Sequence, residues 1–220
     1  MEFLKSIHNL LFPTKNLCYF CRQEYNNIEG FICTNCKEHL QVLNREIYLN
    51  SDSIKKTYYS LLYNRYIREL VIDFKFNKKS YLYKPFGEIM VDTILDQKIT
   101  DIDLILYIPS HRRKEAIRGY NQSELLGKYI SQTLNIPISY NNLIKIKSTK
   151  DQSTLNKDER QNNLKGAFKI KDKKEIYEKR ILLIDDIITT GSTIIETSNI
   201  LMENEAKEVV ALSFTSGKKL

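Results

Sequence analysis

A chain of 220 residues with 42% hydrophobic content can bury one full domain and a small appendage. Its 34 Lys and Arg against 27 Asp and Glu leave a net charge of +7, which suits an anionic partner, a phosphate-bearing ligand or a nucleic acid, with much of the lysine as solvated surface. No apolar run approaches the roughly 20 residues of a membrane span, and Lys5, His8 and Asn9 break up the N-terminal apolar residues, so neither a span nor a signal peptide is expected and the chain is read as cytoplasmic.

In chain order, Phe3, Leu4, Ile7, Leu10 and Leu11 fall at helical spacing before Pro13, predicting a short amphipathic helix. Cys18-Tyr-Phe-Cys21 and Cys33-Thr-Asn-Cys36 follow, separated by eleven residues, and use all four cysteines of the chain. In a reducing compartment such cysteines are reduced or metal-bound rather than disulfide-paired. Each Cys-x-x-Cys makes a tight knuckle with both thiolates on one side, and two knuckles close a tetrahedral four-sulfur site. A structural Zn²⁺ ribbon is expected, with Gly30 in its turn; the same ligands also suit an iron of the rubredoxin type. His39 is expected at the surface, because four thiolates already fill the shell. The domain reading is 1–42 for helix and ribbon and 57–220 for the main domain, with the weakly patterned Leu43 to Lys56 as a linker.

Tyr58, Tyr59, Leu61, Leu62 and Tyr63 make a β-like run, and Ile67, Leu70, Val71 and Phe74 then recur at helical spacing. Lys75, Lys78 and Lys79 close that helix, with Phe76 among them. Cations at a helix C-terminus suffice to explain them, and a contact with an acidic group of a second substrate is the alternative. Phe86, Ile89, Met90, Ile94 and Leu95 form another helical face. Leu104 to Ile108 is a buried strand ended by Pro109. The loop from Ser110 to Ser123 carries Arg112, Arg113, Lys114 and Arg118 with Gly119, an anion site beside a strand end or else a solvated basic loop. Asn121 or Ser123 caps the helix of Leu125, Leu126, Tyr129 and Ile130. Lys145 to Asn163 is polar and reads as an exposed loop. Val209 to Phe214 is the last strand, and Lys218 and Lys219 form a tail.

The most informative stretch is Arg180-Ile-Leu-Leu-Ile-Asp185-Asp186-Ile-Ile-Thr189-Thr190-Gly191-Ser192-Thr193. Ile181 to Ile184 suits a parallel strand covered on both faces, and Asp185 and Asp186 stand at its C-terminal end, where open α/β sheets place ligands. The hydroxyls and backbone N–H groups of Thr189 to Thr193 lead into a helix, whose positive N-terminal end suits phosphate. Gly191 permits close approach. A helix cap alone needs one such residue, and here four accompany an acidic pair. The pair suits two vicinal hydroxyls, Mg²⁺, or both. Together these features describe a ribose 5-phosphate site.

This stretch resembles the signature of type I phosphoribosyltransferases, which bind 5-phosphoribosyl 1-pyrophosphate. The resemblance implies an α/β fold with a mainly parallel sheet flanked by helices. It also implies that Asp185 and Asp186 hold the ribose hydroxyls and support catalysis, with Mg²⁺, and that Thr189, Thr190, Gly191, Ser192 and Thr193 hold the 5-phosphate. Arg112, Arg113, Arg118 and Gly119 would face the pyrophosphate, and the polar segment Lys145 to Asn163 sits where that family carries a closing hood. Pro109 with Arg118-Gly-Tyr-Asn-Gln-Ser123, and Gln152, Leu155, Arg160, Asn163 and Ala167-Phe168 downstream, narrow the resemblance to the ComF family. Tyr120 stands where that family often has Phe. ComF proteins also begin with a zinc ribbon, so the resemblance spans essentially the whole chain. It implies a role in competence, in uptake or processing of transforming single-stranded DNA alongside other competence proteins. The alternative is an active phosphoribosyltransferase of nucleotide metabolism with an unknown acceptor. No residue in the sequence stands out as the general acid or base for an incoming nucleophile.

Overall fold

The computed structural model describes residues 16–25, 28, 30–147 and 164–217. The expected helix at Phe3 to Leu11, most of the polar segment 145–163 and the lysine tail lie outside these residues. The chain forms two compact units, 1–40 and 41–220.

In the first unit, Leu17 and Glu24 pair as an antiparallel bridge. The first knuckle closes by a hydrogen bond from Arg22 N–H to the Cys18 carbonyl at 2.9 Å. Tyr19 and Phe31 meet edge to face at 5.1 Å. Helix α1 (Thr34–Glu38) starts directly after Cys33, so the second knuckle is wound on its first turn.

The second unit contains strands β1 (Val42–Glu46), β2 (Lys56–Leu62), β3 (Leu104–Tyr107), β4 (Leu143–Lys145), β5 (Phe168–Ile170), β6 (Arg180–Ile188) and β7 (Glu208–Ser216). Five of them form one sheet in the order β1-β2-β7-β6-β3, with β1 antiparallel and the other pairings parallel. The unbroken apolar runs of β3 and β6 are buried on both faces, as parallel strands require. Their register runs from Leu104 opposite Ile181 to Tyr107 opposite Ile184. One face carries helices α3 (Tyr83–Asp96) and α5 (Gln122–Leu134). The other carries helix α6 (Ser192–Glu203) and the small antiparallel β4–β5 pair, packed into a core with Leu104, Leu106, Leu183, Val209 and Ala211. Helix α2 (Arg65–Phe76) begins at Asn64, whose side-chain oxygen accepts the Ile67 N–H at 2.9 Å.

Several expectations are corrected. Residues 43–56 are not a plain linker: β1 pairs with β2, and Ile47 and Leu49 are buried in the core. The register of β1 shifts between Val42 and Arg45, and Asn44 sits at φ 44, which erases the alternation by which a strand is read. The basic loop contains helix α4 (Arg112–Arg118), capped by His111 and ended by Gly119 at φ 87. Its charges ring the helix and leave no apolar face to detect. Leu95 is exposed rather than part of the α3 core face. Finally, β6 does not stop at Ile184. It continues along β7 through Asp185 opposite Ser213 to Ile188 opposite Ser216, so the acidic pair lies within the ladder.

Candidate functional site

In the first unit the sulfurs of Cys18, Cys21, Cys33 and Cys36 all lie within 4.8 Å of one another. The Cys21 and Cys33 sulfurs are 3.9 Å apart. Four thiolates around Zn²⁺ at about 2.3 Å stand roughly 3.8 Å from each other, so donor set and spacing fit one tetrahedral ion. The Cys33 N–H points at the Cys18 sulfur from 3.4 Å, a donor of the kind that steadies a thiolate ligand. His39 is exposed and donates from Nδ1 to the Asn35 carbonyl at 2.7 Å, outside the cluster.

In the second unit β3 ends opposite Ile184, and Asp185 and Asp186 run on beyond it. This leaves their edge open to the first turn of α5. Ser123 Oγ donates to Asp185 Oδ1 at 3.3 Å, and the Asp186 N–H donates to the same oxygen at 2.9 Å. Lys75, at the end of α2, places Nζ 2.8 Å from Asp186 Oδ2. Burial and the neighbouring Asp186 charge push the Asp185 carboxyl up to about 7, against the opposing pull of Lys75 and the two donors. Two adjacent carboxylates with one lysine are a site short of positive charge. A diol or a hard cation satisfies it.

The turn after the pair leads through Gly191, at φ 83, into α6. The positive φ favours glycine, and a Cβ at Gly191 would lie 2.5 Å from the Leu49 side chain, which would have to move aside. Thr190 Oγ1 and Ser192 Oγ are 2.8 Å apart, and the Ser192 N–H reaches Thr190 Oγ1 at 3.4 Å. The hydroxyls thus satisfy one another over a small indentation lined by Asp185, Thr189, Gly191, Ser192 and Thr193. An incoming phosphate would exchange these contacts for its own.

The cations of α4 divide. Arg118 lies over the Phe76 ring at 5.0 Å and donates to Gln122 Oε1 at 3.2 Å, beside the residue that pairs with Asp186. Arg112 and Arg113 instead line a cleft of about 490 Å³ at the C-terminal end of β3, with Tyr107, His111, Glu115, Glu124, Lys145 and Lys171. The lining of this cleft shares no residue with the indentation under Gly191.

Lys75, which the sequence offers as a helix-terminal cation or a contact for a substrate's acid, has the protein's own Asp186 as its partner. No local pattern signals a partner more than a hundred residues away. The segment around Tyr120 explains how α2 reaches the site. Tyr120 Oη and Gln122 Nε2 both donate to the Phe74 carbonyl, at 2.6 and 3.2 Å. Asn121 caps α5 and donates to the Ile108 carbonyl at 3.1 Å. Four consecutive side chains, 120 to 123, therefore tie α2, β3 and Asp185 together.

Residues 121–217 match the family model of the phosphoribosyl transferase domain. Competence protein F of Haemophilus influenzae is 28% identical over 217 residues, covering 87% of this chain and 93% of that protein. Competence protein ComFC of Bacillus subtilis is 26% identical over 218 residues, 94% of this chain and 85% of that protein. The DNA utilization protein YhgH of Escherichia coli is 28% identical over 144 residues, 64% of this chain and 63% of its own length. Among solved structures, a hypoxanthine phosphoribosyltransferase from Staphylococcus aureus gives a TM-score of 0.40 at 14% identity, covering 61% of this chain and 64% of that one.

Proposed function

Because the chain is a ComF-family protein built on a phosphoribosyltransferase-like domain, we propose that it binds 5-phosphoribosyl 1-pyrophosphate with Mg²⁺ at the C-terminal edge of β6 and serves in uptake or processing of transforming single-stranded DNA. The observation that carries this is the run of Asp185 and Asp186, a glycine-bearing hydroxyl turn and the N-terminus of α6 along one strand end. Asp185 and Asp186 receive the ribose hydroxyls and hold the cation, while Thr189, Thr190, Gly191, Ser192 and Thr193 take the 5-phosphate at the positive end of α6. Arg118 with Gly119, on the Lys75 side, and Arg112 with Arg113, on the cleft side, meet the pyrophosphate end. Mg²⁺, when bound, neutralises the charge developing on a departing pyrophosphate. The carboxylates of the pair support the positive charge that develops at the ribose carbon it leaves. The four thiolates of the first unit hold one Zn²⁺ as a structural ion, and the positive net charge favours a polyanionic partner.

The experiment is calorimetric titration with 5-phosphoribosyl 1-pyrophosphate, with and without Mg²⁺, alongside an oligonucleotide of single-stranded DNA. Mg²⁺-dependent binding of the phosphoribosyl ligand is expected. Its absence under every condition would overturn the reading of this site.

A further inference from the structure

The proposed phosphoribosyl site gives Lys75 no role, although its Nζ lies 2.8 Å from Asp186 Oδ2. Both side chains are largely buried, with 20% of the lysine and 13% of the aspartate exposed. An ion pair so placed is screened far less than one at the surface, and neither charge is released without another to replace it. A second cation at Asp186 therefore competes with the ammonium. Mg²⁺ is a poor competitor by itself, because it gives up its bound waters reluctantly.

The way Lys75 is held adds a second argument. One residue before it, the Phe74 carbonyl accepts from Tyr120 Oη at 2.6 Å and Gln122 Nε2 at 3.2 Å, and the Phe74 ring meets Phe86 edge to face at 5.3 Å. One residue after it, Phe76 lies under Arg118 at 5.0 Å. The backbone is thus held on both sides of Lys75, while a four-carbon stem leaves its ammonium free to turn. Asp73, the other acid in this last turn of α2, is taken by Lys79 at 2.8 Å and Asn77 at 2.7 Å. The pyrophosphate that Arg118 is proposed to meet comes in on this same side of the site.

Resting on the phosphoribosyl reading above, we propose that Lys75 is a built-in counter-ion that couples metal to ligand. It denies Asp186 to a divalent cation alone, and it releases Asp186 when the cation comes with a pyrophosphate, whose oxygens take over the ammonium. Each charge passes from one partner to another, so none is left buried and alone. The coupling is reciprocal, with the ligand tightening metal binding as much as the metal tightens ligand binding.

Mn²⁺, a paramagnetic stand-in for Mg²⁺, is titrated into the full-length protein without ligand and followed by electron paramagnetic resonance. Lys75→Met, which keeps a stem of similar length and loses the charge, is expected to bind Mn²⁺ at least about tenfold more tightly than the parent, the factor a charged partner supports. Adding Asp186→Asn is expected to abolish that gain, and Lys75→Arg is expected to behave as the parent does. Calorimetry with 5-phosphoribosyl 1-pyrophosphate and Mg²⁺ is expected to find the opposite order, with Lys75→Met weakened at least about tenfold. Melting temperatures are the folding control. Equal Mn²⁺ affinity in the parent and a folded Lys75→Met protein would overturn the proposal, and so would a gain that survives Asp186→Asn. The parent decides even if Lys75→Met does not fold: Mn²⁺ binding that Asp186→Asn weakens about tenfold overturns the proposal, and binding indifferent to that change supports it. Ligand binding that a folded Lys75→Met protein retains in full overturns the coupling. No ligand binding to the parent is instead a failure of the phosphoribosyl reading, which takes the proposal with it.

Discussion

At the scale of single residues, burial of the acidic pair costs stability. Asp185 has an ordinary value of 3.8 and is pushed up to about 7 in the fold, first by burial and then by Asp186. Between those values the folded state keeps a proton that the unfolded state has released, so stability falls as pH rises from about 4 to about 7 and the full cost remains above. Asp185→Asn removes that cost while its amide oxygen can still accept from Ser123 and the Asp186 N–H. At pH 8 the variant should be more stable than the parent by on the order of 2 kcal/mol, after discount for solvent at the half-buried edge, and the difference should vanish near pH 4. Denaturant titration at both pH values checks this, and a variant less stable at pH 8 would contradict it. Asp186→Asn keeps the shape but gives up a charge-assisted partner worth about 1.5–3 kcal/mol. Calorimetry should find Mg²⁺-dependent binding of the phosphoribosyl ligand weakened about tenfold to a hundredfold.

At the scale of elements, the turn from β6 to α6 and the four-cysteine unit each carry a prediction. The turn from β6 to α6 depends on Gly191, held at φ 83 under Leu49. Gly191→Ala adds backbone strain and forces Leu49 aside, so a loss of about 1–3 kcal/mol is expected, read as a lowered melting temperature. Unchanged melting would mean that the turn relaxes freely. In the first unit the described residues offer few buried apolar side chains beyond the cysteines, with Phe20 and Ile32 among them. So small a segment is expected to depend on a metal held by its four cysteines. Cys33→Ser should release about one equivalent of metal and unfold this unit while the sheet of the second unit stays folded. Elemental analysis and hydrogen exchange report the two effects. Native protein without zinc or iron would remove the basis of the prediction.

At the scale of the whole molecule, the proposed donor site and the proposed competence role can be tested together. A strain carrying Asp186→Asn should lose transformation in step with ligand binding; normal transformation with abolished binding would separate DNA handling from this site. Sequence alone determined what is written in local periodicity and ligand chemistry. The apolar runs of β3 and β6 announce parallel strands, the paired Cys-x-x-Cys motifs announce a cluster of four sulfurs, and Thr189 to Thr193 announce a glycine turn and a helix start. Tertiary structure decided what depends on partners distant in the chain. The antiparallel β1 hides behind a bulge, and α4 has no apolar face from which to read it. Lys75 meets Asp186 from the end of α2, which Tyr120 and Gln122 hold by the Phe74 carbonyl. Arg112 and Arg118 are six residues apart, yet one faces a cleft and the other an aromatic ring, because a helix turns its side chains by about 100° per residue. Hydrophobic spacing specifies which face of an element is buried, but where a charged side chain ends up depends on which neighbours the packed sheet brings to it.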